Sequence, residues 1–215
     1  MHFTTPLLCC ASVLTVGLLM GGCASDSGNA RAHPTITSVA DSRQEIVDAK
    51  TDIAKTVSSL SLINHGADLT KSYDEFSANL KNTERSEQRV RDQRERLKAH
   101  EAEYINQWQQ DSAKYTDDDL RKSSVDRQAA VKKRFADIEA SYADLAKLYE
   151  PFHAKLADIQ GALRNDLTQD AVRSVRPTID SATEQADGIQ AKADDLIKQL
   201  DELNASLSPT APPKN

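Results

Sequence analysis

Cysteine is scarce in this sequence, and all of it sits at one end. Of 215 residues three are cysteine, Cys9, Cys10 and Cys23, so no disulfide framework organises the chain. Glycine and proline are equally thin, seven of each. That excludes a collagen, a mucin-like stalk and a Gly/Pro-rich disordered chain. It also excludes an all-β sandwich, which needs turn residues every ~8–12 positions. Aromatic residues make up only 5%. There is no G-x-x-x-x-G-K-[ST] loop for phosphate and no G-x-S-x-G elbow for a nucleophilic serine. Basic charge is not in excess either: 27 Lys and Arg face 33 Asp and Glu, a net charge of −6. Nucleic acid is therefore not an expected partner. What remains plentiful is Ala, Leu, Asp, Glu, Lys, Arg and Gln, the composition of long helices.

Apolar residues concentrate first in Leu7–Met20, followed by Gly21-Gly22-Cys23. A run of roughly 14 residues suits a signal-peptide core, since a membrane span needs about 20. Small residues directly before a cysteine resemble the lipobox of bacterial lipoproteins, with Met20 where leucine is usual. The resemblance implies cleavage after residue 22 and acylation, including palmitate, of Cys23. The competing reading is an ordinary secretory leader with a chance cysteine. Ala24 and Ser25 follow, with no Asp at the retention positions. By analogy with enterobacterial lipoproteins this favours the outer membrane, facing the periplasm, over the inner membrane or the cell surface. Residues 23–37 are small and polar, and are read as the lipidated cysteine and a flexible tether.

From Ser38 the apolar period is helical to the end of residue 208. A first run carries Val39, Ile46, Ile53 and Leu60 and stops at Asn64-His65-Gly66. A second runs from Leu69 to Tyr115, about 70 Å of helix, and its middle seam is polar: Thr83, Glu87, Arg94 and Glu101 occupy core-facing positions. Thr116-Asp117-Asp118-Asp119 reads as a helix start with Thr116 as the cap. The third run, Val131 to Leu163, continues in phase across Pro151, which predicts a kink and not an end. After Asn165-Asp166-Leu167-Thr168 the fourth run, Val172 to Leu207, fills every seam position, with Ala182, Ala186 and Ala193 small enough for close approach. Residues 209–215 are a loose tail. Short connections force antiparallel neighbours. The expectation is an all-α, elongated up-down-up-down four-helix bundle over 38–208, with a protruding two-helix antiparallel coiled-coil tip.

Several clusters invite a chemical reading. His100-Glu101 begins half a zinc-protease motif, but Tyr104 stands where the second ligand would be, so no metal site is assigned. Asp117, Asp118 and Asp119 point about 100° apart on a helix and suit its N-terminus better than a cation. No catalytic residue and no cofactor follow from the sequence. Two surfaces are candidates for partners. Tyr104, Trp108 and Tyr115 lie near the tip, where two helices cannot fully cover them. Arg91, Arg94, Arg96 and Lys98 fold beside Lys132, Lys133 and Arg134 to make a basic band that could meet an anionic partner. The plainer account of the band is pairing along the helix, Glu87 with Arg91 and Asp92 with Arg96, plus cover for an acidic fourth helix.

The irregular stretches Gly66-Ala67-Asp68-Leu69 before Tyr73, Tyr115 with Leu120-Arg121-Lys122-Ser123-Ser124 and Arg127-Gln128, and the Glu150-Pro151 step resemble a family of bacterial lipoproteins known as domain of unknown function 2959. The resemblance spans roughly Ser38 to Leu207. It implies a secreted, lipidated helical protein and brings no catalytic residues. The expected function is a non-catalytic envelope lipoprotein, a scaffold or adaptor bound to the membrane by its lipid and to an unidentified envelope protein. A rod with weak seam positions also has the means to pair with a second copy. The alternative is a binder of a small ligand, lipid or cation, through a pocket between helices or the basic band. Mass spectrometry of the mature N-terminus checks the first premise: acylated Cys23 is expected, and an unmodified residue other than Cys23 would end the lipoprotein reading.

Overall fold

The structure is a computed structural model that describes residues 28–65 and 68–209. The predicted leader of residues 1–22, Cys23, Gly66 and the predicted tail beyond Pro209 lie outside the described residues. Four helices follow in order: α1 (Gly28–His65), α2 (Leu69–Ser112), α3 (Asp118–Asn165) and α4 (Gln169–Leu207). The pairs α1/α2, α2/α3, α3/α4 and α4/α1 pack, whereas the diagonal pairs do not approach one another. This is the expected up-down-up-down four-helix bundle.

Local chemistry fixes the helix starts. The Asp68 side chain accepts from the backbone N–H of Lys71 at 3.0 Å, and Thr168 does the same for Ala171 at 3.2 Å. At the tip the cap is Asp117, which accepts from Leu120 at 2.9 Å, one residue beyond the expected Thr116. A carboxylate is the stronger acceptor there and also answers the helix dipole. Pro151 lies inside α3, which continues through it, and its ring is exposed.

The largest departure from expectation is at the start. Residues 28–37, read as tether, are the first turns of α1. Ala32 is 3% exposed and Thr35 is buried. The Thr35 hydroxyl donates to the carbonyl of His100 at 3.3 Å, and Arg31 pairs with Asp111. The α1 helix therefore lies along α2 as far as Asp111. The two-helix tip is correspondingly shorter, confined to the region of the α2–α3 turn.

The four helix pairs are not equivalent. Small hydroxylated residues line the α1/α2 seam: Ser38, Ser42, Thr56 and Ser59 on α1, Ser72, Thr83 and Ser86 on α2, all buried. Side-chain size sets how closely two helices approach, and α1/α2 is the most intimate pair of the four. The buried hydroxyls are satisfied within the seam. Thr56 and Thr83 share a hydrogen bond of 2.9 Å, Ser42 donates to the Ser38 carbonyl at 2.7 Å, and the Gln93 amide donates to the same carbonyl at 3.0 Å. By contrast α2/α3 is the most open pair.

The core accordingly divides in two along the bundle. One cluster, around Leu60, Phe76, Phe152, Leu156 and Ile179, fills the end near the α3–α4 turn. The other, around Val39, Leu97, Phe135, Leu196 and Leu203, fills the half nearer the tip. Leu145 is half-buried and packs against both.

Candidate functional site

The division between the two clusters is the site of a cavity of about 400 Å³, open to solvent between α2 and α3. Its floor is apolar and comes from the closed α1/α4 seam: Ile46, Ala49 and Ile53 on α1, Ile189 and Ala193 on α4. Val90 on α2 and Leu145 and Ala146 on α3 extend the apolar walls. The space follows from the residue types at this level. At Glu87 and Arg94 the seam of α2 carries charged, partly buried side chains that form ion pairs with Arg91 and Glu139, and the facing α1, α3 and α4 positions include Ala49, Ala146 and Ala193. Above and below, Phe76, Leu80 and Leu97 fill the same row. Tight packing is the rule in protein interiors, so a void of this size marks a row with nothing to fill it.

Tyrosines line the α3 wall. Tyr142 is buried beneath the Arg94 guanidinium, which lies 5.7 Å from its ring centre. Burial pushes its phenol up to about 12, with the neighbouring Ser42 hydroxyl acting in the opposite direction. Tyr149 is held between Phe152, at 6.1 Å, and the stacked His153 ring, at 5.8 Å. Burial raises its phenol as well, and Glu87 and Glu84 add to the effect. The Tyr149 hydroxyl is shielded from solvent and has no hydrogen-bond partner.

The rim is charged but internally matched. Arg94 donates to Glu139 of α3 at 2.6, 3.0 and 3.1 Å, and this carboxylate is the main reason its guanidinium is held above its ordinary value. Arg91 pairs with Glu87, and Lys50 with Asp194. Glu95 is 3.3 Å from Lys98.

The predicted basic band is part of this arrangement. Arg96 donates to Gln93 at 2.6 Å, Lys133 binds Asp137 at 2.6 Å, and Arg134 lies 4.0 Å from Glu202 of α4. Lys132 lines a separate, more open groove at the tip. Of the pairings expected along α2, Glu87 with Arg91 forms, whereas Asp92 accepts from Gln88 at 2.8 Å. Acidic α4 is covered by cations of its neighbours: Asp194 by Lys50 and Asp201 by Arg43.

The aromatic trio is not brought together. Tyr104 and Trp108 lie 5.6 Å apart, half-buried against the tip-side core. The Trp108 indole donates to Ser124 at 2.9 Å and carries Arg127 over its ring at 5.4 Å. Burial raises the Tyr104 phenol. Tyr115 lies beyond the end of α2 with no ring contact to either. The apolar surface at the tip is instead Tyr115 at 40% exposure, Leu120 at 62% and Val125 at 54%. Leu120 and Val125 fall off the heptad seam, which was the signal available for them in the sequence.

Among the described residues, no cluster of three or more His, Cys, Asp or Glu could hold a metal, and no helix is long and apolar enough to cross a membrane. Asp117 caps α3, and Asp118 pairs with Arg121. The sequence profile of the family described as Protein of unknown function (DUF2959) matches residues 24–207. The chain belongs to this family. The match begins well before Ser38 and so includes the first turns of α1. No curated protein and no solved structure matches the chain.

The Tyr142 environment gives a pH signature. Its phenol is ordinarily near 10 and reaches about 12 in the fold. Stability from the buried neutral phenol is thus complete below pH ~10 and is lost as pH rises toward ~12, by up to about 3 kcal/mol. Denaturant midpoints measured across that window should fall for the native chain and fall less for Tyr142→Phe. Parallel declines would show that the phenol is not shielded.

Proposed function

We propose that this protein is a lipid-anchored, non-catalytic envelope protein that holds a small, largely apolar molecule in the cavity between α2 and α3. The cavity carries the reading: it combines a closed apolar floor, open access from one side and a size within the ~300–1,000 Å³ of small-molecule sites. Its walls offer hydrophobic area and a few polar groups, and no nucleophile stands beside a base. The lipobox-like sequence before Cys23 supports the anchor, and Ala24-Ser25 favour the outer membrane.

An uncharged apolar fluorophore, 1-N-phenylnaphthylamine, tests the cavity directly. Its fluorescence should rise and saturate near one molecule per chain. Ala49→Phe with Ala146→Phe, which place two rings in the cavity, should weaken binding about tenfold or more with helicity and melting temperature retained. No enhancement, or equal binding by the filled variant, would overturn the reading.

A second reading, the scaffold or adaptor, is favoured by one observation, the exposed Tyr115, Leu120 and Val125 at the tip. In that case Leu120→Asp should remove an envelope partner captured by in-cell cross-linking. An unchanged set of cross-links would dispose of it.

A further inference from the structure

The shape of the cavity narrows the class of ligand. Resting on the reading of the α2–α3 cavity as a ligand site, we infer that it takes one unbranched alkyl chain, lying parallel to the helices with its head group at the mouth.

Three observations converge on this. The first is the cavity's dimensions. Its lining runs from Thr83 to Glu95 on α2 and from Tyr142 to Glu150 on α3. With a rise of about 1.5 Å per residue, these walls are ~18 and ~12 Å long. A volume of about 400 Å³ spread over ~12–18 Å leaves a mean cross-section of roughly 20–35 Å². That is room for one extended hydrocarbon chain, and too little for two side by side or for a bulky ring.

The second is how the opening ends. Two cross-links join α2 to α3 on either side of the mouth, Glu84 to His153 at 3.1 Å and Arg94 to Glu139 at 2.6 Å. Between them, among the described residues, no hydrogen bond or ion pair joins the two helices. The mouth is therefore a slit along the bundle axis, ~15 Å from Glu84 to Arg94. Beyond it the buried Leu80 and Leu97 fill the α2 row, and packed side chains yield little. A ligand enters sideways and lies along the slit, and its length is limited at both ends.

The third is the lining. Ile46, Ile53, Val90, Leu145 and Ile189 are aliphatic, with alanines between them. The two rings in the wall already have partners, Arg94 over Tyr142 and His153 stacked on Tyr149. The surface left to a ligand is mainly aliphatic, and rewards buried area more than stacking. Lys50, Arg91 and Arg94 are each paired with a carboxylate, so no rim cation is held ready for a charged head group. The head group stays in water at the mouth, and the chain supplies the affinity.

Alcohols keep the head group constant and uncharged, and each is read by displacement of phenylnaphthylamine from the full folded chain. From 1-octanol to 1-dodecanol, affinity should rise about fourfold per methylene. The rise should stop at 1-tetradecanol, whose extended length matches the longer wall, and 1-hexadecanol should bind no tighter. Cyclododecanol, which has the carbon count of 1-dodecanol closed into a ring, should bind about tenfold more weakly or worse. Leu145→Ala widens the slit and should shrink that difference about threefold or more. Equal binding of ring and chain, a gain that continues into 1-hexadecanol, or an undiminished difference in folded Leu145→Ala would overturn the inference alone. So would binding of the probe and of no alcohol. If Leu145→Ala does not fold, the comparisons on the native chain decide. Binding of no alcohol, nor of the probe, would overturn both the inference and the cavity reading beneath it.

Discussion

The close seam between α1 and α2 governs the rest of this bundle. Serine and threonine side chains are short, so the two backbones come together. Their hydroxyls must then find partners inside the seam, as Thr56 and Thr83 do with each other and Gln93 does with Ser38. Each such bond contributes only about 1 kcal/mol net, but leaving one unmade in a dry seam costs more. The seam is thus as much a register device as a source of stability. Drawing α2 toward α1 also draws it away from α3, and the four-cornered bundle becomes lopsided. The opening between α2 and α3 is the geometric remainder of that choice.

The opening falls where it does because of α2's charges. Glu87 and Arg94 sit in core-facing register, yet neither fills a core. Arg94 reaches across to Glu139 and so bridges the two helices on the outside of the gap. The bundle is held at this level by ion pairs at its rim and apolar contact at its floor, with space between. Apolar packing resumes toward both ends, which is why the core reads as two clusters joined through Leu145.

Much of the architecture was legible in the sequence. The strict seam of α4, from Val172 to Leu207, and the uninterrupted phase of α3 across Pro151 gave helix identity and antiparallel order directly. The start of α1 was not legible, because Ala32 and Thr35 look like tether residues to a hydropathy pattern. They bury only against another helix, and their partner lies 65 positions away on α2, where Thr35 donates to the His100 carbonyl. The cap moved from Thr116 to Asp117 because adjacent acceptors compete and pattern alone does not rank them. The cavity was half visible. The polar seam at Glu87 and Arg94 was plain, but a missing apolar row becomes a cavity only when three neighbouring helices also present alanine there. The aromatic trio fails for a related reason: Tyr104 and Trp108 share a seam with α3, and Tyr115 is past the helix end.

The early start of α1 has a consequence for how the molecule stands. Gly28 lies at the same end of the bundle as the α2–α3 turn, since Arg31 already reaches Asp111. Only Ala24 to Ser27 separate it from Cys23, a span of roughly 18 Å at full stretch. A lipid on Cys23 would make the slender end the foot and the α3–α4 turn the head. The cavity mouth near Val90 would then open about 30 Å up the shaft from Asp111, clear of the headgroups. A molecule leaving the membrane would have to be handed up to it or reached by the whole mast leaning over.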